Sequence, residues 1–311
     1  MNAEVGGSAA FRVVDEQELL SELTYPVAVA SLERMFRDLD PGTLVERSHV
    51  ATLAGTLLLM PAVSSETVGV KLVTISPANP QRGLPTIQAS YIVFDGATGS
   101  LRAVLDGSAL TAIRTAAVSA LATKYLAPVD ASTLVVFGAG VQASSHVDAM
   151  RAVRPIEEVV IVSRTSASAE RLAARVAADG LRARVGGPED IRDAHLICTC
   201  TTSGTPVFDG ALLPPGCHVN AVGTYTTDTR ELDDAAVHEA GIVVETREAA
   251  VAEAGDLVMA FGAATAERID ADLREVMEGA AVEGHHTVFK SVGLAVEDLA
   301  VAEAGSWVRS R

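Results

Sequence analysis

An apolar run ending in a glycine turn, Thr133-Leu-Val-Val-Phe-Gly-Ala-Gly-Val-Gln-Ala143, constrains this chain more than any other feature. Leu134 to Phe137 carry no polar side chain, as expected of a parallel strand covered on both faces. Gly138 permits a tight turn, Gly140 lets backbone approach a phosphate, and Ala143 stands where a small residue keeps helix and strand close. The start of the following helix would offer unpaired N–H groups and the positive end of its dipole to an anion. An amphipathic stretch from Val141 to Val153 and a second strand, Glu158-Val-Val-Ile-Val-Ser163, complete the context. A glycine-rich turn can be only a turn, but a strand before it and a helix after it predict a dinucleotide site.

The end of the second strand bears on which dinucleotide. A site that prefers NAD(H) usually places Asp or Glu there to bind the ribose 2′-hydroxyl. This chain has Ser163-Arg164-Thr165. A carboxylate would repel a 2′-phosphate, whereas a guanidinium flanked by two hydroxyls can pair with it. NADP(H) is therefore favoured, with NAD(H) possible. The other reading of Arg164 is a solvated loop charge.

At 311 residues the chain suits two domains, and with 49% hydrophobic residues it can bury sizeable cores. No stretch of about 20 residues is apolar enough to span a bilayer. The N-terminal segment, with Glu4, Asp15, Glu16 and Glu18, does not read as a secretory signal. Cys198, Cys200 and Cys217 are odd in number and lie in apolar, strand-like segments, which fits core packing in a reduced cytoplasmic compartment. A net charge of −16 argues against nucleic acid or an anionic membrane as partner, so an anionic ligand would need locally placed basic residues. The seven histidines show no ligand spacing, and no metal is expected. There is also no G-x-S-x-G nucleophile turn.

Along the chain, residues 11–40 have helical spacing through Val14, Leu19, Leu20 and Leu23. Between about residues 44 and 105 the pattern changes to strands, including 57–60, 68–75, 89–94 and 101–105. Residues 108–126 read as a helix with Ser108 as N-cap. Strands near 133–138, 158–163, 195–200, 217–222 and 241–245, with helices between, give an α/β class: a mid-chain, doubly wound parallel sheet of the Rossmann type.

Two basic residues stand in apolar surroundings. Lys71 interrupts the strand 68–75, and a lysine is almost never fully buried without a partner or a purpose. Desolvation would lower its pKa and make it a proton donor near neutral pH. The alternative is an edge-strand lysine that snorkels to water. Arg114 is the only charged side chain between Gly107 and Thr123. It needs an anionic partner, either a ligand carboxylate or phosphate, or a core Asp or Glu in a structural ion pair. Arg47, just ahead of a strand, carries little weight alone.

Several stretches resemble one family, the ornithine cyclodeaminase/mu-crystallin family. They are Leu58-Leu-Met-Pro-Ala62, Gly69-Val-Lys-Leu-Val-Thr74, Ala112-Ile-Arg-Thr-Ala-Ala-Val-Ser-Ala120, Gly138-Ala-Gly-Val-Gln-Ala143, Asn220-Ala-Val-Gly223, Arg230-Glu-Leu-Asp233 and Val288-Phe-Lys-Ser-Val-Gly-Leu-Ala-Val-Glu-Asp298. They occur in the family's order, and the mu-crystallin branch is the most similar. The resemblance implies a homodimer in which residues 1–125 and 290–311 form an α+β domain for substrate binding and dimerisation. Residues 126–289 would form the Rossmann domain. It implies that Lys71 is catalytic, beside the substrate's C–N centre, and that Arg47 and Arg114 grip a substrate carboxylate. Gly138, Gly140, Val141, Gln142, Ser163, Arg164 and Thr165 would hold the cofactor, and Thr201, Val222 and Ser291 would line the nicotinamide. Hydride donor and substrate clamp would then come from different domains.

Two departures from the cyclodeaminase pattern matter. Leu58 stands where those enzymes have an acidic residue, and Tyr225 where they have a catalytic Asp, with Asp228 three residues later. Reduction of a C=N bond needs neither carboxylate, only a hydride, a proton from Lys71 and a carboxylate clamp. The resulting expectation is an NAD(P)H-dependent reductase of a small carboxylate-bearing imine or ketimine, giving an amino or cyclic imino acid. The alternatives are a cyclodeaminase or amino-acid dehydrogenase using NAD, and a binding protein that retains NADPH.

Overall fold

The chain, described over residues 11–308 in a computed structural model, opens with β1 (Arg12–Val14), α1 (Glu16–Glu22) and α2 (Tyr25–Asp38). Glu4, used above in reading the N-terminal segment, lies outside the described residues. Five strands follow: β2 (Ser48–Thr52), β3 (Gly55–Val63), β4 (Thr67–Ile75), β5 (Ile87–Asp95) and β6 (Leu101–Asp106). Buried and less buried positions alternate along β3 and β4, the period of two that a sheet with one covered face demands. The sheet order is β1-β6-β5-β4-β3-β2, antiparallel except where β1 runs parallel to β6. Helical spacing at 11–40 misses β1, because Arg12 and Val13 are drawn into the sheet by Ala103 and Val104, far along the sequence.

Next comes α3 (Gly107–Leu126), whose residues Ile113 to Thr123 are buried on every side. Its cap is Asp106 rather than Ser108. The Asp106 carboxylate accepts from the backbone N–H of Ser108 and Ala109, both at 2.9 Å, while Ser108 Oγ accepts from Ala89 N.

The rest alternates strand and helix: β7 (Thr133–Phe137), α4 (Val141–Val153), β8 (Glu158–Val162), α5 (Ser166–Ala178), β9 (Arg182–Val185), β10 (Leu196–Thr199) and β11 (His218–Ala221). Then follow α6 (Asp234–His238), β12 (Ala240–Val244), α7 (Arg247–Glu253), α8 (Gly255–Phe261), α9 (Thr265–Arg268), β13 (Ala271–Asp272), α10 (Leu273–Met277), β14 (His286–Lys290) and α11 (Ala295–Ala302). The eight strands β7 to β14 are all parallel, in the order β13-β12-β14-β11-β10-β7-β8-β9. Strand order reverses at β7, which has β8 on one side and β10 on the other. That is the switch point of a doubly wound sheet. The sequence pattern marks five of these strands. Short β9, two-residue β13 and lysine-bearing β14 lack a long apolar run.

By packing, the described residues divide into two units. The first takes in 11–31, 40–114 and 295–308; the second takes in 32–39 and 115–294. The boundaries fall inside α2 and α3, and the second unit runs on to Leu294 because β14 lies between β11 and β12. No single helix among the described residues is long and apolar enough to cross a membrane.

The carboxyl end of α3 has an unusual cap. Arg154 Nη2 donates to the carbonyls of Thr123, Lys124 and Ala127, at 2.7 to 2.9 Å, and Nε donates to that of Pro128. One guanidinium thus satisfies carbonyls that a helix end leaves open and sets a positive charge on its negative pole. Arg154→Met, which keeps the apolar stem, should lower stability by about 2–4 kcal/mol, read from the urea midpoint.

Candidate active site

In the first unit, β4 is an interior strand, which removes the edge-strand reading of Lys71. The pleat points Lys71 to the buried face, with Gly69 and Val73. In register with it across the sheet are Met60 on β3 and Tyr91 on β5. Arg47 is half-buried and directly precedes Ser48, the first residue of β2 and the partner of Leu59 on β3.

Lys71 is 2% exposed, and its Nζ donates to Asp298 Oδ2 at 2.7 Å. Arg114 Nη1 donates to Glu297 Oε2 at 2.7 Å, and its Nε lies 3.4 Å from Asp298 Oδ1. Both carboxylates belong to α11 and are fully buried. The structural ion pair left open for Arg114 is therefore present, and it sits in one cluster with the lysine. Burial pushes Lys71 down to about 8 against the pull of Asp298, and the neighbouring Arg114 charge adds to the lowering.

Tyr91 lies in the same layer. A Cβ on Gly69 would come within 2.0 Å of the Tyr91 hydroxyl and 3.0 Å of Leu299, so a side chain at 69 would displace the phenol. Burial raises the Tyr91 pKa well above its ordinary value, with the charges of Asp298 and Glu303 adding to the effect. Sequence reasoning missed Tyr91, Glu297 and Asp298 as individual residues. The signal for the two acids was there: they are the only charges in the apolar stretch Val292 to Val301, the same anomaly that marks Lys71 and Arg114. Leu58 is buried on the same face of β3, two residues from Met60.

In the second unit, Gly138 has φ +109°, and a Cβ there would meet the Cys200 carbonyl at 2.5 Å. Protein geometry alone requires this glycine. Gly140 differs. It caps α4, and a Cβ on it would meet nothing within 4 Å. The space beside the first turn of α4 is open, Ala143 is buried behind it, and Val141 is 69% exposed. An open cradle at a helix N-terminus, at the switch point of a parallel sheet, fits a dinucleotide pyrophosphate. Gln142 is half-buried in the same turn. Arg164 and Thr165 are exposed just past β8, and the half-buried Ser163 accepts from Thr165 N through its hydroxyl.

The remaining expected residues stand at the carboxyl ends of neighbouring strands: Thr201 after β10, Val222 after β11 and Ser291 after β14. Thr201 and Val222 are half-buried. Ser291 is buried, and its hydroxyl donates to Glu245 at 2.6 Å. Tyr225 is half-buried against the core and Asp228 is exposed. Cys198 and Cys217 are buried free thiols, each pushed up to about 12 by burial, and no group of three or more His, Cys, Asp or Glu among the described residues is placed to hold a metal ion.

The profile of the ornithine cyclodeaminase/mu-crystallin family matches residues 12–305. The chain belongs to that family. It is 40% identical over 290 residues to the ketimine reductase mu-crystallin of Rattus norvegicus, covering 91% of each chain. Among solved structures it resembles the Thermococcus litoralis Delta(1)-pyrroline-2-carboxylate reductase in complex with NADH and L-proline, with 31% identity and a TM-score of 0.88 over 94% of this chain and 96% of that one. It also resembles an archaeal alanine dehydrogenase dimer with bound NAD, with 30% identity and a TM-score of 0.87 over 94% of each chain.

The Asp298 charge keeps a proton on a lysine that burial works to discharge. In Asp298→Asn, Lys71 should lose its proton at a pH lower by about one unit or more, read from lysine Cε chemical shifts across a pH titration.

Proposed function

We propose that this protein is an NAD(P)H-dependent reductase of a small carboxylate-bearing imine or ketimine, which it converts to an amino or cyclic imino acid. The observation that carries this reading is Lys71, a buried ammonium that donates to Asp298 and that burial lowers to about 8. The names of the relatives, a ketimine reductase and a pyrroline carboxylate reductase, support the same class of reaction.

A nicotinamide dinucleotide, when bound, supplies the hydride that the imine carbon receives. Lys71 Nζ gives the proton to the imine nitrogen, so the C=N double bond becomes CH–NH and the lysine is left neutral. Asp298, hydrogen-bonded to Nζ, favours its reprotonation. Arg114 and Arg47 orient the substrate carboxylate, with Arg114 itself fixed by Glu297 and Asp298. The buried face of β3 carries Leu58 rather than a carboxylate, and Tyr225 carries no acid, so the two groups that would activate water for cyclodeamination are missing. The reverse reaction, oxidation of an amino acid, uses the same groups with Lys71 as base.

The dinucleotide is held by the Gly138–Gln142 turn and by Ser163, Arg164 and Thr165, with Thr201, Val222 and Ser291 on the nicotinamide side. The two solved relatives are described with NADH and NAD. The preference for NADP(H) rests on this chain's own Ser163-Arg164-Thr165, where no carboxylate opposes a 2′-phosphate.

A homodimer is supported by the outer face of the six-stranded sheet. Leu57, Leu59, Val70, Leu72, Ile92 and Phe94 there are apolar and still partly exposed, as a face awaiting a second copy would be. We also assign the protein to the cytoplasm, on its reduced cysteines.

Cyclic and acyclic α-imino acids offered with NADPH and NADH should be reduced with loss of the reduced-nicotinamide absorbance. Lys71→Met should lower kcat by about 100-fold or more and leave dinucleotide binding intact. An unchanged kcat would overturn the role of the lysine. In Arg164→Ala, NADPH should bind about tenfold or more weakly while NADH is unaffected, read by fluorescence titration. Equal losses for both would remove the NADP preference.

A further inference from the structure

The second unit buries a polar network whose two acids, Glu231 and Asp256, and whose lysine, Lys290, have no part in the chemistry above. Glu231, in the loop between β11 and α6, is fully buried and accepts four hydrogen bonds. Oε1 receives Thr201 N at 2.7 Å and Thr201 Oγ1 at 2.6 Å, and Oε2 receives Thr199 Oγ1 at 2.7 Å and Gly223 N at 2.8 Å. Two of these donors are backbone N–H groups, which can only donate. A carboxylate, which only accepts, suits all four.

A second carboxylate extends the constraint. Asp256 of α8 is also fully buried, and its Oδ1 accepts from the backbone N–H of Glu231 and Leu232 at 2.7 and 2.8 Å. Its Oδ2 pairs with Lys290 Nζ at 2.8 Å and accepts from Thr224 Oγ1 at 3.1 Å. Lys290, the last residue of β14, donates onward to the Thr224 carbonyl at 2.6 Å. The carboxyl ends of β10, β11 and β14, adjacent in the sheet, are thereby tied through two acids and one lysine. There is no slack between the first two: a Cβ on Gly223 would lie 2.2 Å from the Thr201 carbonyl.

Stability alone does not call for this arrangement, since buried ion pairs are often no better than well-packed apolar residues of similar volume. Its location suggests a use. The glycine turn after β7 and Arg164 after β8 account for the pyrophosphate and the 2′ position of the adenosine. A dinucleotide that straddles the switch point extends its other half over β10, β11 and β14. We propose that Glu231 is a positioning residue for the nicotinamide, fixing the backbone at Thr201 and Gly223 against which the ring lies, with Asp256 and Lys290 carrying the same constraint to the β14 end. This inference rests on the dinucleotide reading of the preceding subsection.

Glu231→Gln keeps the volume but turns an NH2 donor toward groups that donate. The test compares binding of the preferred dinucleotide with binding of the matching ADP-ribose, which lacks the nicotinamide, by calorimetry on the full chain. The dinucleotide should bind about tenfold more weakly to Glu231→Gln, while ADP-ribose binds within about twofold of the unaltered protein. With cofactor deuterated on one face of C4, the unaltered protein should transfer from one face only, and Glu231→Gln should transfer measurably from both. Should Glu231→Gln fail to fold, Thr199→Val, which removes one of the four bonds from inside β10, should show the same split at smaller amplitude. Equal losses for dinucleotide and ADP-ribose, or no loss for either, would overturn the positioning role. If the unaltered protein binds neither molecule, it is the dinucleotide reading that fails.

Discussion

Four charges buried together, Lys71, Arg114, Glu297 and Asp298, set the terms for the first unit. None could be buried alone, because an isolated ion taken out of water costs far more than any one contact returns. Paired two against two, they are neutral as a group, and the salt bridges link β4, α3 and α11. Removing one partner from such a set typically costs about 3–5 kcal/mol, because the others are left uncompensated. The same balance sets the electrostatics of the cluster. Burial lowers the lysine to about 8 while Asp298 opposes the loss of its proton, and the arginine is held by two carboxylates.

The second unit applies the same device to a different end. Its parallel strands are buried on both faces and carry no alternation to fix what happens where they stop. The strand ends are held instead by carboxylates that accept backbone N–H groups. Glu231 does this for the loops after β10 and β11, and Glu245 does it for Val292 and Gly293 after β14. These contacts fix the loop backbone without a large side-chain interface.

Much of this was legible in the residue order, and the reasons are local. The Rossmann segment shows itself because a buried parallel strand, a glycine turn and an amphipathic helix each have their own pattern, and they occur in sequence. Lys71 and Arg114 stood out because charge inside an apolar stretch is an anomaly that needs no partner in view to be noticed. Their partners were equally anomalous in Val292 to Val301, but only the fold shows that β4, α3 and α11 meet. Tyr91, Glu231 and Asp256 carry no such mark. Tyrosine on an alternating strand and acids among loop and helix polar residues look ordinary, and their buried surroundings come from long-range pairings. Strands β1 and β14 were hidden for the same reason, since distant partners decide their conformation. The cap at Asp106 in place of Ser108 reflects a simpler competition, in which the carboxylate took the two N–H groups and the hydroxyl turned to Ala89.

The placement of β14 has a consequence for how the chain comes to be folded. Residues 286–290 fill the position between β11 and β12, and residues 295–302, immediately after, bring the two acids that neutralise Lys71 and Arg114. Until this late stretch has been synthesised, the parallel sheet lacks an interior strand and the lysine lacks its counter-ion. Each unit is therefore completed by residues that lie far along the sequence from most of the rest of it. The closing contacts span more than two hundred residues, as from Lys71 to Asp298, so loop closure is slow relative to a protein whose halves mature in order. Until β14 is in place the parallel sheet leaves β11 and β12 with unpaired edges, the kind of surface through which a folding intermediate self-associates.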